Sequence, residues 1–384
     1  MNIQLLNKIA AIGLAELDSS YTVGEDVKNP DGIMVRSAVM HDMEFGEELL
    51  AIARAGAGVN NIPIDRCSEK GIVVFNTPGA NANGVKELAV CALMLAARDV
   101  VGGIEWVKTI AGTPDVAKQV EKGKSKFAGT EIAGKTLGVV GLGAIGGLIA
   151  NVALDLGMNV IGCDPFLSVE GAWNLDHRVK RAATFDEIFE KADYITLHVP
   201  ATKDTKNMIC ADSIAKMKDG AKIINLARAD LVNAADLLAA LESGKLSAYV
   251  TDFPTEDVVG KKGVVAIPHL GASTEEAENN CAVMAARQMD AYLKNGNIRN
   301  SVNFPAIDQP RTGVARIVAL HANIPAVITG ITGAVSAEGL NIENMTSKSK
   351  GDNACTILDV SSAPSAEAVA HIAAINGIYR VRVV

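Results

Sequence analysis

Apolar positions along the chain follow two alternating rhythms. From about Lys135 to Leu270, short apolar runs read as buried strands at Thr136–Gly141 (TLGVVG), Asn159–Cys163 (NVIGC), Tyr194–Val199, Lys222–Leu226, Ser247–Thr251 and Val264–Ile267. Helical spacing fills the gaps at Ala144–Leu156, Phe185–Lys191, Ser213–Met217 and Ala234–Ser243. Strands alternating with helices predict a parallel sheet with right-handed crossovers. The first hundred residues repeat the alternation on a smaller scale, with strands at Ile3–Leu6, Ile33–Val35, Ala51–Arg54 and Ile72–Phe75. A long helical pattern begins near Val85, with Leu88, Ala89, Ala92, Leu95 and Ala96 on one side, and carries the chain into the second region. A helix at about Thr274–Leu293 carries it back.

After Asn300–Thr312, which contains Pro305 and Pro310 and reads as a linker, the rhythm changes. A strand (Arg316–His321), a helix (Ala326–Ala337), two strands turning at Lys350–Asn353, a helix (Ser365–Ala374) and a strand (Tyr379–Val383) follow. This β-α-β-β-α-β order predicts a ferredoxin-like sandwich.

A length of 384 residues calls for two or three domains. The apolar share is supplied mainly by small and branched aliphatics, which suits sheets covered on both faces. A net charge of −8, with no basic block, argues against a nucleic-acid partner. No apolar run approaches the roughly 20 residues that span a bilayer, so no membrane partner is expected. The N-terminus lacks the charged and apolar regions of a signal peptide, and a cytoplasmic location is the expectation. The six cysteines are scattered and read as free thiols; neither they nor the six histidines show metal-ligand spacing, so no metal is expected.

Gly141-Leu-Gly143-Ala144-Ile145-Gly146 fits G-x-G-x-x-G between a strand and a helix, where the motif has a mechanism. Gly141 permits the tight turn, Gly143 lets a pyrophosphate approach the backbone, and Gly146 lets the helix pack on the strand. The helix start adds amide donors and partial positive charge. Asp164 ends the next strand, where it would accept from the adenosine ribose hydroxyls and repel a 2′-phosphate. NAD is therefore expected rather than NADP.

Three segments place titratable groups at strand ends: Asn225-Leu-Ala-Arg228, Thr251-Asp-Phe-Pro-Thr-Glu256 and Pro268-His269-Leu-Gly-Ala-Ser-Thr274. Hydride transfer to or from a carbinol carbon needs a matching proton transfer, and histidine suits both directions. A carboxylate would orient the imidazole, and an arginine would hold a substrate carboxylate. Arg228, Glu256 and His269 are thus candidates for electrophile, orienting acid and proton relay. Spacing alone does not bring them together.

GLGAIG with Asp164, LHVPAT (Leu197–Thr202), INLARADLV (Ile224–Val232), DFPTE and PHLGAST together resemble the D-isomer-specific 2-hydroxyacid dehydrogenases. VRS (Val35–Ser37), AGAGVNNI (Ala55–Ile62) and FNTPGANANGVKELA (Phe75–Ala89) resemble the substrate domain of the same family. The resemblance spans about residues 1–304. It implies a Rossmann-type doubly wound parallel sheet (98–274) inserted in a flavodoxin-like substrate domain (1–97 and 275–304). A linker (305–315) and an amino-acid-binding ACT-type domain (316–384) would follow. Arg228, Glu256 and His269 are implied as the catalytic set. The implied cofactor contacts are the glycine loop, Asp164, His198, Val199, Pro200, Ala227, Asp252, His269 and Gly271. The implied substrate contacts are Arg36, Ser37, Ala57, Gly58, Val59, Asn81, Arg228 and His269. VRS, PHLGAST and the tail are most similar to members that oxidise 3-phosphoglycerate to 3-phosphohydroxypyruvate with NAD, the first reaction toward serine. A homodimer or homotetramer is implied.

Three positions depart from the family pattern. Thr251-Asp252-Phe253 stands where Asp-Val-Phe is usual, so either Thr251 or Asp252 would meet the nicotinamide carboxamide. Asn83 stands near an arginine of some relatives, leaving the substrate phosphate to Arg36, with Arg54 or Lys124–Lys126 as further candidates. In the tail, the resemblance implies an L-serine effector held by His321, Asn323 and Asn341. Pro325-Ala326 replaces the usual Pro-Gly there, and a side chain at that helix start would crowd the ligand.

Overall fold

The computed structural model describes all residues, Met1–Val384. Contacts divide the chain into two compact units, one of Met1–Ala80 with Glu278–Val384 and one of Asn81–Ala277. No helix is long and apolar enough to cross a membrane.

In the first unit, β1 (Asn2–Leu5), β2 (Thr22–Gly24), β3 (Gly32–Val35), β4 (Ala51–Arg54) and β5 (Val73–Phe75) form a parallel sheet in the order β2-β1-β3-β4-β5. This is the flavodoxin-like order. Successive side chains alternate between faces. Ile33, Val35, Ile52 and Val74 build one core, while Met34, Ala51, Ala53, Val73 and Phe75 build another. The second core includes Ala282, Ala285, Ala286, Met289 and Leu293 of the helix Glu275–Asn295. Both faces are covered, which is why β3 and the Ala51–Ala53 part of β4 are short unbroken apolar runs.

The second unit holds β6 (Thr136–Val140), β7 (Asn159–Cys163), β8 (Lys180–Arg181), β9 (Tyr194–Leu197), β10 (Ala221–Asn225), β11 (Leu246–Thr251) and β12 (Val264–Ala266). They run parallel in the order β12-β11-β10-β9-β6-β7-β8. This is the doubly wound dinucleotide-binding order with one added strand. Its topological switch lies between β6 and β9, where ligands collect beyond the carboxyl ends. Leu137, Val139, Ile224 and Val250 pack under the helices Ala82–Ala97 and Ala144–Asp155, chiefly on small residues.

The C-terminal β13 (Ala315–Ala322), β14 (Ile342–Lys350), β15 (Asn353–Val360) and β16 (Ile378–Val383) form an antiparallel sheet in the order β14-β15-β13-β16. With helices Val327–Ala337 and Ala366–Ala373 this is the expected β-α-β-β-α-β sandwich. One face of the sheet packs on those helices through Ile317, Ala319, Leu358 and Val360. Its other face, through Val318, Leu320, Cys355 and Ile357, joins the core that contains Phe75, Tyr292 and Phe304. Residues 305–315, read from their prolines as a linker, lie along that junction. Ile307 and Gln309 are buried, and Ile298 and Ile307 pair as an antiparallel bridge.

Two strands, β2 and β8, escape the sequence pattern. Each is an outermost strand of two or three residues, too short to display a period.

Candidate functional site

The glycine loop follows β6 at the switch point. Gly141 has φ +91°, a left-handed conformation that a side chain would strain. A Cβ there would also lie 2.7 Å from the His198 carbonyl oxygen. A Cβ on Gly146 would fall 1.9 Å from the Gly141 carbonyl oxygen, so only glycine lets the helix Ala144–Asp155 start here. A Cβ on Gly143 would meet no atom within 4 Å. The space in front of Gly143 is open where a pyrophosphate would approach the backbone, and the loop fits a dinucleotide.

Asp164, just past β7, is only partly exposed. Its Oδ2 accepts from Leu142 N at 2.9 Å, and its Oδ1 accepts from Phe166 N at 2.8 Å. The carboxylate therefore ties the glycine loop to the turn after β7, and each oxygen keeps a lone pair for a ribose hydroxyl. His198 lies beside the loop: its backbone N–H donates to Val140 O at 2.8 Å, and its Nε2 lies 2.7 Å from Thr196 Oγ1. Burial pushes the imidazole down to about 3, so the ring is neutral near pH 7. Val199 is partly exposed and Pro200 is exposed in the same loop.

Arg228 and Ala227 follow β10 in a turn shaped by Asn225. Asn225 is fully buried; its Nδ2 donates to Arg228 O at 2.8 Å and to the Tyr249 hydroxyl, and its Oδ1 accepts from Ala227 N. The Arg228 guanidinium is thereby presented outward, 5.3 Å over the Phe253 ring. The His269 ring lies against the same phenylalanine, with centroids 4.5 Å apart. Phe253 thus carries Arg228 and His269 from two different loops. His269 itself has φ +52°, a backbone state that non-glycine residues rarely adopt and that clusters at working sites.

Asp252 is buried, and its two oxygens accept from Leu270 N at 2.7 Å and Gly271 N at 2.8 Å. It clamps the loop that presents His269. Thr251 is buried too, donating to Asn225 O and accepting from Phe253 N. Glu256 is exposed three residues after Phe253 and forms no ion pair with His269 here.

The remaining residues divide between the units. Asn81 belongs to the second unit, at the start of the helix Ala82–Ala97, with a buried side-chain oxygen that has no hydrogen-bond partner. Arg36, Ser37, Ala57, Gly58 and Val59 belong to the first. The Ala57 carbonyl is held by Asn76 Nδ2 at 2.6 Å, and Arg36 pairs with Glu278 at 2.6 Å. Lys124 pairs with Glu121 on an exposed surface.

In the C-terminal sheet the three effector candidates separate. Asn323 and Asn341 are exposed, and their side chains donate to Gly351 O and Glu343 Oε1. His321 is buried, with Nδ1 at 2.8 Å from Ala322 O and Nε2 at 2.9 Å from Thr356 Oγ1. Both of its nitrogens are committed within the sheet, which leaves none for an external amino acid. Ala326 is held at φ +70°, where a glycine would be at ease.

Sequence reading singled out neither Asn225 nor Phe253 as a site residue. A buried asparagine ending an apolar strand is the one local signal for the first; the second reads as a core aromatic until its neighbours from other loops are seen.

Residues 92–271 match the family model described as D-isomer specific 2-hydroxyacid dehydrogenase, NAD binding domain. The chain is 36% identical over 319 residues to the D-3-phosphoglycerate dehydrogenase of Synechocystis sp., covering 80% of this chain and 55% of that one. It is 35% identical over 323 residues to the enzyme of the same name from Methanocaldococcus jannaschii, covering 81% and 59%. The matches thus span little more than half the length of these relatives. Among solved structures, the NAD+-bound 3-phosphoglycerate dehydrogenase of Entamoeba histolytica is similar, with 28% identity and a TM-score of 0.61 over 79% of this chain and 98% of that one. The D-mandelate dehydrogenase of Rhodotorula graminis, 23% identical with a TM-score of 0.68, covers 81% of this chain and 99% of its own and shares the fold. With the glycine loop, the switch-point topology and this match in agreement, residues 92–271 are an NAD-binding domain of the D-isomer specific 2-hydroxyacid dehydrogenase family.

Proposed function

We propose that the chain is an NAD-dependent dehydrogenase that oxidises 3-phospho-D-glycerate to 3-phosphohydroxypyruvate. The observation that carries this reading is the meeting of Arg228 and His269 on Phe253, in the unit that holds the glycine loop. NAD, when bound, supplies the hydride acceptor. Arg228 holds the substrate carboxylate through its guanidinium fork and polarises the adjacent oxygen. His269 takes the hydroxyl proton, which the loss of hydride makes acidic. Glu256 serves as the carboxylate that orients His269 and favours its imidazolium. Asp252 sets the height of the His269 loop through the Leu270 and Gly271 amides. In this reading Arg36, Ser37 and the Ala57–Val59 backbone serve the anionic ends of the substrate.

The likeness to two D-3-phosphoglycerate dehydrogenases supports the phosphorylated substrate. The test is NADH absorbance with 3-phosphohydroxypyruvate, against hydroxypyruvate and glyoxylate. Equal or better turnover of an unphosphorylated acid would replace the substrate while keeping the chemistry. The C-terminal domain reads as an amino-acid effector module of a homodimer or homotetramer, supported by the exposed Asn323 and Asn341 amides. Unchanged rates and no binding up to millimolar L-serine would leave that domain an assembly element.

A further inference from the structure

The turn that carries Arg36 is held from two directions, by Asn7, which lies outside every motif, and by Asn61. Strand β1 pairs with β3 so that Leu5 stands opposite Met34. Continuing that register places Asn7 beside Arg36. There the Asn7 Oδ1 accepts three successive backbone amides, from Arg36 at 3.0 Å, Ser37 at 2.9 Å and Ala38 at 2.9 Å. Three consecutive N–H groups aimed at one oxygen form a concavity suited to negative charge. Here it is satisfied by a neutral amide, so the turn is held without spending the Arg36 charge. The Ala38 carbonyl accepts from Asn61 Nδ2 at 2.8 Å, which fixes the far end of the turn.

The arginine side chain is held separately. Its Nη2 lies 2.6 Å from Glu278 Oε1, both side chains 43% exposed. Glu278 stands in the opening turn of the helix Glu275–Asn295, on a rigid base. A half-exposed guanidinium with a single carboxylate contact retains free donors on its open side.

We propose that Asn7 and Glu278 are positioning residues for an anion site at Arg36 and Ser37. Asn7 preforms the turn. Glu278 is the internal counter-ion that an incoming phosphate displaces. The inference rests on the reading that Arg36 meets the anionic substrate, and it assigns opposite effects to the two residues. Removing Asn7 loosens the turn and weakens anion binding. Neutralising Glu278 removes a competitor and strengthens it. General structural damage would weaken binding in both.

The experiment uses the full chain, with 3-phosphoglycerate titrated calorimetrically and amide exchange followed at residues 36–38. Wild type should bind the ligand and protect these amides. Glu278→Gln, at an exposed pair, should bind about twofold to fivefold tighter, the change that corresponds to one surface ion pair. Asn7→Ala should bind roughly tenfold weaker, as for the loss of a half-buried hydrogen-bond acceptor. Its amides at 36–38 should lose protection, and Asn7→Asp, which keeps an acceptor oxygen, should restore it. In turnover, Asn7→Ala should raise KM for the hydroxyacid while leaving kcat and the KM for NAD nearly unchanged. A Glu278→Gln protein that binds no tighter than wild type, or an Asn7→Ala protein with unchanged exchange at 36–38, overturns the proposal. Failure of the substrate reading would instead show in the wild type, as absence of 3-phosphoglycerate binding.

Discussion

Arg316 and Asp359 form a bidentate ion pair, Nε to Oδ1 at 2.6 Å and Nη2 to Oδ2 at 2.9 Å, with neither side chain exposed to solvent. The pair sits on the sheet face turned away from the two C-terminal helices. Arg316 also donates to Asn295 O at the end of the long helix, and Asp359 accepts from Gln309 and Thr312. One buried pair therefore links the C-terminal sheet, the long helix and the segment after it. Burial alone would raise the Asp359 carboxyl, but the hydrogen bonds from Arg316, Gln309 and Thr312 outweigh it and hold the group at about 2.

Breaking that pair from one side strands a buried charge. Arg316→Met should destabilise the first unit by about 3–5 kcal/mol. The double replacement Arg316→Met with Asp359→Leu should recover most of the loss, because apolar groups of similar volume leave no unpaired charge. Denaturant titration of the three proteins checks this. A single variant as stable as wild type would mean that the pair contributes little.

Acid should weaken the protein in two stages. Burial keeps His198 neutral down to about 3 and also lowers His321, whereas the unfolded chain takes up these protons near pH 6.5. The unfolded state then binds more protons, so stability falls as pH drops below about 6.5. The Asp359 contribution is fully present above its ordinary value of 3.8 and is lost as pH falls toward about 2. Urea midpoints at pH 7, 5.5 and 4 should decline steadily, and His198→Gln should flatten the decline.

Two glycines of one loop should respond differently. Gly143→Ala has room for its Cβ and should leave Tm nearly unchanged while weakening NAD binding, because the methyl occupies the backbone approach. Gly146→Ala must move the Gly141 carbonyl and should lower both Tm and NAD affinity. Thermal melts with and without NAD separate the two behaviours.

Phe253→Ala should lower turnover by roughly tenfold, since it removes the ring that positions both Arg228 and His269, a contact of about 1–2 kcal/mol. His269→Ala should cost roughly 10²–10⁴-fold in kcat with NAD affinity preserved. Retained full activity in His269→Ala would remove the proton-relay role.

Ala326 sits at φ +70° before the helix Val327–Ala337. Ala326→Gly should raise stability or leave it unchanged, by about 0–1 kcal/mol, because relief of strain offsets the added freedom of the unfolded chain. Ala326→Val should lower Tm. Calorimetric melts of both variants check the sign.

Much of the architecture is legible along the chain, because its determinants are local. Apolar runs of strand length between helical patterns specify β6, β7, β9, β10, β11 and β12, and the tail's order of elements specifies its sandwich. The glycine loop states its own chemistry, since turn, approach and packing each fall on one residue of a hexapeptide. Strands β2 and β8 are not legible, being too short to carry a period. The site is legible in its motif residues and illegible in what holds them. Asn7 reaches a turn 29 residues away, Glu278 reaches across 242, and Phe253 gathers groups from two loops.

The same division holds in the tail. Sequence by itself determined that β13 and β15 are strands of the β-α-β-β-α-β tail. Only the tertiary structure decided that both of their faces are covered, one by helices and the other by the core around Phe75 and Phe304. His321 follows from that: strand pairing sets Thr356 beside its ring and removes it from solvent. The physical reason is general. Periodicity records how much of a residue is buried, whereas contact between distant segments depends on register and packing that no local pattern contains.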